Sequence, residues 1–139
     1  MDNKLTPSAI IVEKEAVMAK RILVVDDETA FLLGIKKVLG STGAVTDIVE
    51  TIEEAEKLIL QNPYDILITD LRLTGVLGEE GLEIVRFVKE NSPHTQCVLV
   101  TGYGSPEIRD KAKEQGVKYY FEKPVAPSQL LDLVKKLGA

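Results

Sequence analysis

The feature that most constrains the fold of this chain is the alternation of short apolar runs with longer segments of helical period. Five runs of five to seven residues, rich in Val, Ile, Leu and Tyr, cover residues 21–26, 44–49, 64–70, 96–101 and 117–121. Between them, apolar residues recur every three or four positions, as on one face of an amphipathic helix. The pattern predicts a β-strand followed by an α-helix, repeated five times.

Three of the predicted strands are almost continuously apolar, which is typical of strands covered by helices on both faces. Parallel strands need crossover connections, and these connections are right-handed. We therefore expect an α/β fold with a doubly wound, parallel, five-stranded sheet. In such sheets, ligands bind outside the carboxyl ends of the strands, where the strand order reverses.

The first predicted strand ends in a cluster of like charges. The stretch RILVVDDE places four apolar residues directly before the carboxylates of Asp26, Asp27 and Glu28. Two unit charges in contact repel by about 1 kcal/mol in water and by about 4 kcal/mol at an effective dielectric constant of 20. Mg²⁺ prefers a few carboxylate oxygens, with water or phosphate in its other positions, and would relieve this repulsion. The cluster therefore predicts a Mg²⁺ site.

Other polar residues stand at the ends of the later strands. Asp70 ends the third predicted strand, Thr101 ends the fourth, and Lys123 lies just past the fifth. A parallel sheet brings these residues to one edge. A metal site, an ammonium, a hydroxyl and an aspartate nucleophile are the components of phosphoryl transfer. The nucleotide-binding loop GxxxxGKS or GxxxxGKT is absent from the sequence.

With these residues in place, the chain resembles the receiver domain of two-component response regulators. The resemblance rests on ILVVDDE, DILITDLRL, VLVTGYG and YYFEKPV, which occur in this order at the ends of strands one, three, four and five. It implies a flavodoxin-like receiver fold with strand order 2-1-3-4-5. It covers residues 20–139 and leaves residues 1–19 as an extension outside the family pattern.

The resemblance implies a metal site and a phosphorylation site. Asp70 is the implied phosphoacceptor. Asp27 and Asp70 are implied to bind Mg²⁺ directly, together with the main-chain carbonyl of Arg72, and Asp26 assists partly through water. Mn²⁺ is the alternative ion.

The resemblance also implies which residues respond to the phosphoryl group. Thr101 follows that group, Lys123 binds one of its oxygens, and Tyr120 is the implied aromatic switch. The Lys123–Pro124 peptide bond is expected to be cis.

Three features depart from the family pattern. The segment LRLTGVLGEEG after Asp70 is longer than usual, and Thr74 stands where proline is common. We expect residues 1–19 to form a partly ordered segment. The last predicted helix ends near the end of the chain, which favours a stand-alone receiver of the chemotaxis-like type, with a piece of a longer regulator as the alternative.

Composition limits the partners and the cellular setting. The net charge of −5 and the pI near 5.0 argue against direct binding of nucleic acid. The single cysteine, Cys97, lies in an apolar run and cannot form an internal disulfide, which favours a reducing, cytoplasmic setting. No membrane anchor or signal peptide is apparent in the sequence.

The leading hypothesis is a phosphorylation switch. A histidine kinase or phosphotransfer protein donates to Asp70, and the phosphorylated form contacts a downstream protein through its fourth helix, fifth strand and fifth helix. That protein is a separate partner or a second copy in a homodimer. The chain would catalyse its own phosphorylation and dephosphorylation without turnover of an external substrate. The alternatives are a Mg²⁺-dependent phosphohydrolase with an aspartate nucleophile and an interaction module that does not depend on phosphorylation.

Overall fold

Five strands alternate with five helices in the part of the chain that the structure describes. The structure is a computed structural model, and it describes residues 20–73 and 79–138. The strands are β1 (Arg21–Val25), β2 (Val45–Val49), β3 (Ile66–Thr69), β4 (Gln96–Thr101) and β5 (Tyr119–Glu122). The helices are α1 (Thr29–Gly40), α2 (Ile52–Gln61), α3 (Glu80–Asn91), α4 (Pro106–Glu114) and α5 (Pro127–Lys136).

The strands form one parallel sheet in the order β2-β1-β3-β4-β5, which confirms the predicted topology. The order reverses between β1 and β3, so the switch point of the sheet lies between these two strands. Val25 is paired with Val49 on one side and with Thr69 on the other. Because this register aligns the carboxyl ends of neighbouring strands, the residues that follow β1 and β3 lie at the same edge.

The two faces of the sheet are covered by different helices. Helices α1 and α5 pack on the face that carries Ile22, Val24 and Val98. Helices α2, α3 and α4 pack on the opposite face, which carries Leu23 and Val25. Alternate residues of β1 thus enter separate cores, which explains why its sequence is apolar throughout.

Side chains cap the amino-terminal ends of two helices. The hydroxyl of Thr51 accepts a hydrogen bond from the backbone N–H of Glu54 at the start of α2. The hydroxyl of Ser105 accepts one from the backbone N–H of Ile108, and Pro106 is the first residue of α4. These caps satisfy backbone donors that the first helical turn leaves free.

The structure tests the sequence-based expectations for Cys97 and for membrane-spanning helices, but not those for residues 1–19 and Thr74. Cys97 is buried, as predicted. No helix among the described residues is long and apolar enough to cross a bilayer. Residues 1–19 and Thr74 lie outside the described part of the chain, so the expectations for the extension and for the loop remain predictions.

Candidate functional site

The acidic residues of the site are held by continuations of the sheet. The backbone N–H of Asp26 donates to the carbonyl of Val49, and the backbone N–H of Asp70 donates to the carbonyl of Val25. Each aspartate is therefore anchored one residue beyond its strand. The side chains of Asp26 and Asp70 are 1% and 5% exposed, and they lie next to each other at the switch point.

Lys123 directly follows β5, the strand at the edge of the sheet next to β4, and its side chain extends to the site. Its backbone N–H donates to the carbonyl of Thr101, and its bond to Pro124 is cis, as expected. Its ammonium donates to Asp26 Oδ2 at 2.8 Å and to Asp70 Oδ2 at 3.2 Å. A third bond goes to the carboxylate of Glu28. The ammonium thus joins residues that are nearly a hundred positions apart.

Burial and charge shift the pKa values of these groups. Burial raises the pKa of the Asp26 carboxyl above its ordinary value, because burial outweighs the hydrogen bond from Lys123. Burial raises the pKa of Asp70 in the same way. Burial alone would lower the pKa of Lys123, but its hydrogen bonds to Asp26 and Glu28 outweigh burial and raise that pKa. The carboxyl pKa values are therefore raised by burial, and the pKa of Lys123 is raised by its carboxylate partners.

The donor set fits a hard divalent cation. Carboxylate oxygens from four residues lie within 4.8 Å of one another, and the residues are Asp26, Asp27, Glu28 and Asp70. Three of these residues, Asp27, Glu28 and Asp70, line an open cleft of about 480 Å³, together with Arg72 and Lys123. Oxygen ligands with free positions for water or phosphate are the arrangement that Mg²⁺ prefers. The predicted ligands are thus brought together, with Arg72 beside them.

Gly102 and Tyr103 form the wall of the cleft that follows β4, and Thr101 directly precedes them in the chain. Thr101 is fully buried, and its hydroxyl accepts a hydrogen bond from the backbone N–H of Tyr103 at 3.0 Å. The ring of Tyr103 lies 4.0 Å from the guanidinium carbon of Arg72, which also lines the cleft, and the two side chains make a cation–π contact.

Tyr120 lies behind this wall rather than in the cleft. Its hydroxyl is buried and lacks a hydrogen-bond partner among the described residues. Its ring is 4.9 Å from the guanidinium carbon of Arg109 on α4. The hydroxyl fits against Gly104, where an added Cβ would lie 1.8 Å from it. An aromatic side chain thus connects the loop after Thr101 with α4.

Two residues near Asp70 were missed by the sequence analysis. Glu28 was assigned only to the acidic cluster, whereas its carboxylate contacts Lys123. Gly81 was not singled out, although an added Cβ there would lie 2.0 Å from the backbone oxygen of Asp70. This glycine lets α3 approach the backbone of Asp70 closely. In the sequence, Gly81 is marked only as the glycine of EEG at the start of a predicted helix. The close approach of α3 to Asp70 is a tertiary contact, which the sequence does not reveal.

The comparisons with known proteins agree with this geometry. The family model for the response regulator receiver domain matches residues 22–135. The chain belongs to the response regulator receiver domain family. The matched range contains Asp26 and Thr101 as well as every residue that lines the cleft, from Asp27 to Lys123.

Relatives and solved structures support the same family. The chain is 30% identical to the response regulator protein PilR of Pseudomonas aeruginosa over 115 residues, which are 83% of this chain and 25% of PilR. A receiver domain protein from Methanospirillum hungatei has a TM-score of 0.78 and 32% identity, covering 86% of this chain and 94% of that one. The beryllofluoride-activated NtrC4 receiver domain dimer has a TM-score of 0.76 and 31% identity, covering 85% and 95%.

The lengths of the relatives bear on the expected domain organisation. The chain spans 25% of PilR and 63% of the photosynthetic apparatus regulatory protein RegA of Rhodobacter capsulatus, to which it is 28% identical over 86% of its own length. These relatives are longer regulators, so the expectation of a stand-alone, chemotaxis-like receiver is not confirmed.

Proposed function

We propose that this receiver accepts a phosphoryl group on Asp70 from a histidine kinase or phosphotransfer protein, with Mg²⁺ as cofactor. The observation that carries the proposal is the position of the Lys123 ammonium, which bonds to the two buried carboxylates at the switch point of the sheet. The ammonium and the nucleophile are thereby held together before a phosphodonor arrives, which lowers the entropic cost of the reaction.

The chemistry follows from the groups in the cleft. A carboxylate oxygen of Asp70 forms the bond to phosphorus, while the bond from phosphorus to the donor's imidazole nitrogen breaks and its electron pair stays on that nitrogen. The metal, held by Asp26, Asp27 and Asp70, would supply charge to neutralise the phosphoryl oxygens. Lys123 would bind one phosphoryl oxygen, and the hydroxyl of Thr101 would donate to another.

The proposed output uses α4, β5 and α5. Tyr120 connects the loop after Thr101 with α4, so movement of Thr101 towards a phosphoryl group would change the packing of this helix. The partner that reads this face would be a separate protein, a second copy of the chain, or an output domain. The NtrC4 receiver, which is similar to this chain, is a dimer in its beryllofluoride-activated form.

Labelling by radioactive acetyl phosphate tests the phosphoacceptor. We expect Mg²⁺-dependent labelling of the wild type and none of the Asp70→Asn variant, because the amide is a poor nucleophile and a weaker metal ligand. Asp132→Asn, an exposed aspartate on α5, is the matched control and should be labelled like the wild type. Equal labelling of the Asp70→Asn variant would contradict the assignment.

The amount of phosphoryl group incorporated and of phosphate released distinguishes the proposed switch from the two alternatives, a phosphohydrolase and an interaction module. A phosphohydrolase would release phosphate from an external ester with many turnovers, whereas the proposed switch incorporates at most one phosphoryl group per chain. An interaction module without phosphorylation would incorporate none. The buried, ammonium-paired Asp70 favours the switch.

A further inference from the structure

All three hydrogens of the Lys123 ammonium are engaged in the structure. An ammonium group has three N–H donors and no acceptor. Here the donors are taken by the carboxylates of Asp26, Glu28 and Asp70. A phosphoryl oxygen can therefore bind Lys123 only if one of these three carboxylates gives up its bond.

The three carboxylates differ in exposure. The side chains of Asp26 and Asp70 are almost fully buried, whereas that of Glu28 is 60% exposed. An exposed carboxylate has water as an alternative partner, so its bond to Lys123 costs the least to break. Glu28 is the partner that an incoming phosphoryl oxygen displaces most easily.

Hydrogen bonds fix the backbone of Glu28, and its side chain is not used to cap the helix that follows. Its N–H donates to Asp26 Oδ1 at 2.8 Å, and its carbonyl accepts from the N–H of Leu32 at 3.1 Å. Glu28 is the N-cap residue of α1, yet its side chain makes no capping hydrogen bond. Ser, Thr, Asp or Asn would cap this helix better, by about 1 kcal/mol. The side chain is directed to Lys123 instead.

We propose that Glu28 is a positioning residue that competes with the phosphoryl group for Lys123. It holds the ammonium on the carboxylates of the unphosphorylated form and must release it when Asp70 is modified. This contact opposes phosphorylation and so sets how readily the switch responds. The inference rests on the proposed function, because it concerns Lys123 as the residue that binds a phosphoryl oxygen.

A different role for Glu28 predicts the opposite result. Its carboxylate belongs to the group of four whose oxygens lie within 4.8 Å of one another, so it could also be a metal ligand. Removal of a ligand would weaken Mg²⁺ binding, and binding of a phosphoryl mimic would weaken with it. Removal of a competitor for Lys123 would strengthen binding of the mimic.

The affinity for beryllofluoride, a mimic of the phosphoryl group, distinguishes the two roles. We expect the Glu28→Gln variant at saturating Mg²⁺ to bind beryllofluoride about two- to fivefold more tightly than the wild type, the size expected for loss of an exposed ion pair. Glu28→Ala, which also removes the hydrogen-bond acceptor, should bind at least as tightly. The gain should diminish at 1 M salt, where exposed charges are screened within about 3 Å.

Glu50→Gln is the matched control. Glu50 follows β2 at the same edge of the sheet, is exposed, and accepts a hydrogen bond from Thr29 rather than from Lys123. It carries the same change of charge and should bind beryllofluoride like the wild type.

The outcomes separate this inference from the function on which it rests. If the wild type does not bind beryllofluoride, the proposed function fails. If the wild type binds it but Glu28→Gln binds equally or more weakly, Glu28 does not compete for Lys123. A loss of Mg²⁺ affinity of about tenfold or more in Glu28→Gln, measured without beryllofluoride, would assign Glu28 to the metal and overturn the proposal.

Discussion

Among the single residues of the cleft, Arg72 and Tyr103 line it and contact each other. Each stands two positions after a residue of the proposed phosphoryl site, Asp70 or Thr101. The guanidinium carbon of Arg72 lies 4.0 Å from the centre of the Tyr103 ring, which makes a cation–π contact. Such contacts are worth about 0.5–1 kcal/mol at exposed sites, which is enough to keep the two side chains together for most of the time.

We therefore expect slow loss of the phosphoryl group from Asp70. Both side chains line the cleft beside Asp70, so we expect them to hinder the approach of water to phosphorus, and replacement of both by alanine should make dephosphorylation several-fold faster. Decay of labelled protein after removal of acetyl phosphate measures the rate. Arg86→Ala, an exposed arginine on α3, is the control. Unchanged or slower decay in the double variant would contradict this role.

At the scale of elements, α4 differs from the other helices. Ala112 is its one buried residue, and Ile108 is partly buried. Each of the other four helices within the described residues buries at least two residues. Because burial of apolar surface provides most of the stability of a helix in a protein, α4 is held less firmly than its neighbours.

Amide hydrogen exchange should identify α4 and its surroundings as the responsive region. With Mg²⁺ and beryllofluoride, we expect protection to change across residues 102–125, which include α4 and Tyr120. The Asp70→Asn variant, treated in the same way, should show no such change, because it lacks the carboxylate to which the mimic would bind. Changes restricted to residues 30–60 would rule out α4 as the switching element.

For the whole molecule, the acidic site reduces stability in the absence of metal. The pKa values of Asp26 and Asp70 are raised by burial above their ordinary value of 3.8. A raised carboxyl pKa means that the folded state holds its proton more tightly than the unfolded state does. The free energy of unfolding therefore falls as pH rises from about 3.8 through the folded-state pKa values.

Mg²⁺ should reverse this loss of stability. At a concentration of ten times its Kd, an ion that binds only the folded state adds about 1.4 kcal/mol, which corresponds to about 5 °C in Tm for a domain of this size. The shift should be present at pH 7, shrink as pH falls towards 4, and be largely lost in Asp27→Ala. An unchanged Tm across millimolar Mg²⁺ in thermal unfolding monitored by circular dichroism would contradict a metal site.

The sequence by itself determined the class of fold and most of the candidate site. Alternating strand and helix periods predict a parallel sheet, and polar residues at strand ends must then meet at one edge, because parallel strands share a direction. Asp26, Asp70 and Thr101 could be placed in this way because each ends an apolar run, and Lys123 because it lies two residues past one. The capping residues Thr51 and Ser105 were likewise readable, because their hydrogen bonds span only three residues.

Only the tertiary structure decided which partners these residues take. The bond from Lys123 to Glu28, the fit of Tyr120 against Gly104 and the approach of α3 to Asp70 at Gly81 involve groups from different elements. The distances between these groups depend on how the helices pack on the twisted sheet. A shift in packing of a few tenths of an ångström would change these contacts. Periodicity records which face of an element is buried, but it does not record which side chain of another element meets that face.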